Sequence, residues 1–327
     1  MSFISSYNPA NRKGSSIKFL LLSFLLTSVI ASDFVVIKIG LSCGTPLTFA
    51  GLRYLIGGII LLLAVAVSRF RFINYSSRNN TYIAFILGII ASIEFSFLYI
   101  GMQYTDAGTA SLLYNTQPIM VSIMATFFLR EPFTPEKFGA VITGFIGVLL
   151  IFVENLSSDI ATIGSIFILL SAFSWALNTI IFKKMIKDEF IMQTTCIMLL
   201  SAGIFLALIG AFFEEIPVFT TKYIATLLYL AVVGSAFGVT LWFYLVTQYG
   251  ASQTSICLFL VPVFSILLGY LILGENIHLT DILGIFLVGM SIYILNKPFL
   301  KRSLGSNQGW KGYKYCPQLK GITEDGK

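Results

Sequence analysis

The chain is 327 residues long, 57% hydrophobic and 11% charged, where soluble domains carry roughly 25% charged residues; a surface of this kind cannot face water, so a soluble globular fold is excluded. The net charge of +6 singles out neither nucleic acid nor an acidic substrate. The four cysteines form no CxxC pair and His278 is the single histidine, which leaves a zinc site, a disulfide framework and a Ser-His-Asp triad without their ligands.

In chain order, the apolar runs predict an all-α integral membrane protein of ten transmembrane helices. A short N-terminal segment, 1–17, comes first. The first five helices then cover 18–40, 47–67, 81–103, 107–129 and 136–153. Five more cover 161–183, 190–213, 222–246, 250–273 and 279–297, and a basic tail runs over 298–327. The stretch from Tyr223 to Gly274 holds no charge over 52 residues. It must fold back on itself, and Gln248-Tyr249-Gly250 is the natural turn. The spans at 136–153 and 279–297 are brief for a full crossing. Arg12, Lys13 and Lys18 before an apolar run ending at Ile30-Ala31-Ser32 look like a secretory signal. Hydrophobicity resumes from Phe34 to Ile39, however, so an uncleaved first helix is expected.

Two stretches repeat each other about 145 residues apart. Gln103-Tyr104, Ala107, Ser111, Pro118, Glu131, Gly139 and Gly144 are answered by Gln248-Tyr249, Ala251, Ser255, Pro262, Glu275, Gly284 and Gly289. The same offset pairs Tyr99 with Tyr244 and Lys38 with Lys183. Five helices per copy is an odd number, so the copies, 18–153 and 161–297, are expected to cross the membrane in opposite senses. Inverted repeats place a binding site near the bilayer midplane and let access alternate by rocking. With the N-terminus inside, 18 lysines and arginines fall on the cytoplasmic side and two outside, with Arg53 within the membrane. Both termini are therefore expected in the cytoplasm.

Charges deep in lipid are costly and mark functional sites. Three stand out: Asp33 in helix 1, Arg53 in helix 2 and Glu94 in the middle of helix 3. Asp33 and Arg53 lie at similar depth; they read either as an ion pair locking two helices or as a gate or anchor for a charged substrate group. Glu94 has no evident basic partner. It suits proton coupling, or counter-ion duty toward a cationic ligand, or a bond to a neighbouring helix. Lys38 is close enough to the interface to snorkel. Pro118 and Pro262 break helices 4 and 9 and free backbone carbonyls that can line a cavity, or simply bend the bundle. Just before Pro118 stand Tyr114, Asn115, Thr116 and Gln117, of which Asn115 and Gln117 are the candidates to face a ligand. Tyr99, Trp175, Trp242 and Tyr244 are candidate aromatic walls. The glycine pairs read as packing surfaces, within the chain or between two subunits of a homodimer.

The segment Ile30-Ala31-Ser32-Asp33-Phe34-Val35-Val36-Ile37-Lys38 resembles the Trp-Gly-x-Asn-Phe-x-x-x-Lys pattern of the first helix of the EamA family, within the drug/metabolite transporter superfamily. Its counterpart, Trp175-Ala176-Leu177-Asn178-Thr179-Ile180-Ile181-Phe182-Lys183, keeps the Trp, Asn and Lys, and Asn178 joins the candidate ligand residues on that ground. Pro46 with Arg53 resembles the start of the family's second helix, and 103–131 and 248–275 resemble its fourth-helix signature. Ile30 and Asp33 stand where the family carries Trp and Asn. The resemblance covers about 17–297 and implies ten helices in two inverted halves and the transport, commonly outward, of amino acids, other metabolites or toxic compounds. The expected function is a secondary transporter of a small molecule in the plasma (inner) membrane, with no cofactor, no metal and no nucleic acid, and with protons as a candidate coupling ion. The cavity is expected between helices 1, 3, 4, 6, 8 and 9. The rivals are a passive channel, for which no helix shows a continuous polar stripe, and an intramembrane enzyme, for which no nucleophile set accompanies Asp33 and Glu94.

Overall fold

The computed structural model describes residues 12–67, 78–128, 159–186, 190–249 and 260–277, with single residues and short pieces between 135 and 150 and between 254 and 294. The helices are α1 (Arg12–Leu41), α2 (Pro46–Val67), α3 (Arg78–Tyr104), α4 (Ala107–Tyr114) and α5 (Gln117–Phe128). After them come α6 (Asp159–Met185), α7 (Ile191–Phe213), α8 (Thr221–Tyr249) and α9 (Leu260–Leu273). Among the described residues, six helices are long and apolar enough to cross a membrane: α1, α2, α3, α6, α7 and α8. In lipid every backbone amide has to be satisfied within the segment, which is why these runs are helices. The predicted spans at 136–153 and 279–297 are described only in part, with a shorter apolar helix at Ile282–Ser291 in the second, and the tail lies outside the described residues.

The helix predicted over 107–129 is two helices. Pro118 carries no N–H, so the ladder stops before it, and the chain restarts as α5 with Pro118 in its first turn, where no donor is needed. Pro262 likewise sits in the first turn of α9. The polar residues at the break serve the break itself. Asn115 Nδ2 donates to Ser111 O at 2.7 Å, and Thr116 Oγ1 donates to Leu113 O at 2.8 Å.

Small residues bring the helices together. A Cβ on Gly203 of α7 would come to 2.5 Å from the Leu55 amide of α2, so these two backbones pack without a side chain between them. Gly144 lies against Ile119 and Ser291, which gives that glycine a packing partner inside the chain.

Helix ends are tied by side chains from elsewhere in the chain. Glu214, at the end of α7, accepts from the amides of Leu47 and Thr48 at 2.8 and 2.7 Å and from the Thr48 hydroxyl at 2.8 Å. These are amides of the first turn of α2, which have no partner inside their helix, and the negative charge suits that helix terminus. Glu275 does the same for α4, accepting from Ala107 N at 2.8 Å and Gly108 N at 3.3 Å. It is aimed there by Gly274, whose φ of 70° is open to glycine. Burial pushes the Glu275 carboxyl above its usual range, against the opposite pull of the two amides and Lys38. Lys38 caps rather than snorkels: its Nζ donates to Met102 O and Thr105 O, at 2.9 and 2.7 Å, at the end of α3.

Candidate functional site

α2 carries Arg53 into the bundle, where it is 3% exposed. Each of its three nitrogens donates to a protein oxygen: Nε to Ser235 Oγ at 2.8 Å, Nη1 to Tyr99 Oη at 2.8 Å, and Nη2 to Asp33 Oδ2 at 2.5 Å. The Asp33–Arg53 pair joins α1 to α2, and Ser235 ties it to α8. A guanidinium this deep needs such partners, because an unpaired charge in the membrane interior is costly. The pair fits its space only because α8 is bare at Gly234, where a Cβ would come to 2.5 Å from Arg53 Nη2. Gly234 falls in a π-helical stretch, Leu230–Val239, a distortion that often accompanies functional sites.

The pair borders a cavity of about 80 Å³, several times the ~10–15 Å³ that one water needs. Asp33, Arg53 and Glu94 are the charged residues on its walls. Glu94 is 1% exposed. Its Oε1 accepts from Tyr114 Oη at 3.0 Å, and its Oε2 has no hydrogen-bond partner among the described residues. Phe34, Tyr54, Phe95 and Tyr114 line it from the first half of the chain, and Trp175 and Trp242 from the second. Tyr54 stacks on Phe95 with centroids 3.6 Å apart, and the Arg53 guanidinium lies 5.0 Å from the Tyr54 ring. Trp175 and Trp242 lie 6.1 Å apart. The Trp242 Nε1–H has no acceptor among the described residues.

The structure therefore brings Asp33, Arg53, Glu94, Trp175 and Trp242 together around one cavity, with Tyr99 directly behind Arg53. It places the other candidates elsewhere. Asn115 and Gln117 do not line the cavity: Asn115 is spent on the helix break, and Gln117 is buried beside it. Asn178 is a tether, with Nδ2 donating to Leu87 O at 3.0 Å. Tyr244 lies near the start of α1, with Lys18 Nζ 3.4 Å from its hydroxyl. Pro118 and Pro262 begin helices and do not line the cavity. Among the described residues the walls come from α1, α2, α3, α4, α6 and α8, so α2 is a wall and α9 is not. Tyr54, Tyr114 and Ser235 are site residues that sequence reasoning passed over. Tyr114 carried a signal, as the first of the polar run before Pro118; Tyr54 and Ser235 carried none.

The model of the EamA-like transporter family matches residues 17–153 and, a second time, 162–297. The uncharacterized transporter YoaV of Bacillus subtilis (strain 168) is 29% identical over 293 residues, covering 88% of this chain and all of that one. The uncharacterized transporter YvbV of the same organism is 30% identical over 263 residues, covering 79% of this chain and 85% of that one. A crystal structure 14% identical to the chain superposes with a TM-score of 0.65, covering 86% of this chain and 98% of that one, a likeness of fold.

Proposed function

The chain belongs to the EamA-like transporter family, and from that premise we propose that it is a secondary carrier that exports a small metabolite across the plasma membrane by alternating access around the cavity of Asp33, Arg53 and Glu94. The observation that carries this reading is Glu94 Oε2, a buried acceptor facing a cavity with no partner among the described residues. A carboxylate left so in a membrane interior is expensive unless something visits it. Glu94 is the coupling group and holds either a proton or a charge on the ligand. Arg53 is the hinge pin between α1, α2 and α8, and its bonds to Asp33, Tyr99 and Ser235 form the barrier on one side of the cavity. Trp175 and Trp242 are a further part of the wall.

Two inverted five-helix halves with both termini in the cytoplasm supply the rocking geometry. Tags placed near residues 155 and 187 test it. They should be reachable from opposite faces of the cell, and labelling of both from one face would remove the inverted arrangement. In proteoliposomes, flux of the cargo should saturate and run uphill when its partner gradient is applied. Flux that neither saturates nor opposes a gradient would make the protein a channel. Glu94→Gln should abolish uphill transport in protein that still folds.

A further inference from the structure

Resting on the reading of this cavity as the transport site, we infer that the cargo is an organic monocation: an amine with a small apolar or aromatic body and no carboxylate of its own. The argument is an inventory of what the cavity still has to offer. Two carboxylates face one guanidinium, so the walls carry an excess of one negative charge when all three are ionised. The guanidinium is already engaged, since three of its five N–H groups, one from each nitrogen, donate to Ser235, Tyr99 and Asp33. Asp33 is used on one oxygen, by Arg53, with the bare backbone of Gly234 packed over the carboxyl, while its Oδ1 has no donor among the described residues. Glu94 Oε2 is a second acceptor with no donor among the described residues, and it belongs to the carboxyl that is not paired with Arg53. A positive charge satisfies it and brings the walls to neutrality.

The rest of the lining agrees. Tyr54, Phe95, Tyr114, Trp175 and Trp242 bring aromatic rings to the lining, and ring faces attract cations, more strongly where water is excluded. A carboxylate on the cargo fares badly. Among the fully buried polar atoms of the described residues lining the cavity, the donor without an acceptor is Trp242 Nε1–H, a neutral group. At Arg53, a carboxylate would compete with Asp33 for a buried guanidinium that is already paired. An amino acid would therefore seat its ammonium and leave its carboxylate unpaired among rings, and unpaired buried groups are what give polar sites their large discrimination.

Three probes that share one ring and a two-carbon chain separate these cases: phenethylamine, L-phenylalanine and hydrocinnamate. Titration calorimetry on the full chain in detergent should show phenethylamine binding at least about tenfold tighter than either of the others. Glu94→Gln, in protein that elutes as a single species, should weaken phenethylamine by a similar factor. The inference is overturned if L-phenylalanine or hydrocinnamate binds as tightly as the amine, if none of the three binds, or if Glu94→Gln binds the amine as the parent protein does. The probe series on the unaltered protein decides the matter even if the variant fails to fold. Counterflow in proteoliposomes keeps this result apart from the carrier reading. Accumulation of radiolabelled L-phenylalanine without phenethylamine would leave a carrier and sink the amine. Phenethylamine binding in the expected order without counterflow would leave the amine site and sink the carrier.

Discussion

Asp33, Arg53 and Glu94, the charged groups of the cavity, all stand on the first half of the chain, whereas Trp175, Gly234, Gly238 and Trp242 on the second half offer it rings and bare backbone. The two halves match the same family model, so the difference is one of use. At the offset of about 145 residues, Asp33 is answered by Asn178, Arg53 by Met198 and Glu94 by Val239. Asn178 tethers α6 to α3, Met198 is packed inside the bundle, and Val239 is a plain wall of the cavity. A duplicated scaffold has kept its ionisable chemistry on one side and turned the other side into a shaped apolar surface. A cavity built this way takes rings from both halves but its charges from one.

The sharpest way to break this comparison is to remove the charge that holds the first half together. Arg53→Ala leaves Asp33 buried without its partner, and breaking such a pair costs about 3–5 kcal/mol. The expected outcome is a large drop in melting temperature in detergent or loss of folded protein. Asp33→Leu combined with Arg53→Met removes both charges at similar volume and should recover most of that loss. A single Arg53→Ala variant with parental stability would show that the ion pair does not organise the first half.

On the second half the corresponding test adds a single carbon. Gly234→Ala places a methyl against Arg53 and Asp33, and overpacking of this kind costs about 1–3 kcal/mol. The effect should vanish in the background that already carries Asp33→Leu and Arg53→Met, provided the leucine leaves room for the methyl. A loss that persists there would locate the strain in the α8 backbone and not in its contact with the first half.

The cross-half caps give a smaller effect. Glu214 belongs to the second half but serves the first turn of α2. Glu214→Ala should cost about 1 kcal/mol, the usual worth of a helix N-terminal partner, read as a modest fall in melting temperature. Glu214→Gln should recover part of it, since the amide oxygen still accepts but no longer carries charge to the helix terminus.

Much of the fold was legible because lipid leaves few choices: apolar runs of membrane length became α1, α2, α3, α6, α7 and α8 within a few residues. The two charged partners Asp33 and Arg53 were legible for the same reason, as groups at matching depth on consecutive helices. Periodicity could not show the break at Asn115 and Thr116, because a proline in an apolar run is equally compatible with a kink and with a restart. That choice decided the site: once the helix restarts, Asn115 is consumed by Ser111 O and Tyr114, one residue earlier, reaches Glu94. Ser235 and Gly234 were invisible because their importance comes from where α8 crosses α2, a tertiary fact that no local pattern encodes. Lys38, Glu214 and Glu275 were hidden similarly, as polar residues at helix ends whose partners are backbone atoms far along the chain.

Asn178 is where sequence and geometry divide most usefully, and it carries the smallest expected effect. Its motif suggests a ligand contact, while its side chain donates to Leu87 O across the α3–α6 interface. Interhelical hydrogen bonds in membranes average about 0.6 kcal/mol, so Asn178→Ala should lower the melting temperature slightly. The affinity for phenethylamine should move less than it does in Glu94→Gln, because Asn178 does not line the cavity. A loss of affinity as large as that of Glu94→Gln, with little change in stability, would return Asn178 to the ligand and show that the second half supplies polar chemistry after all.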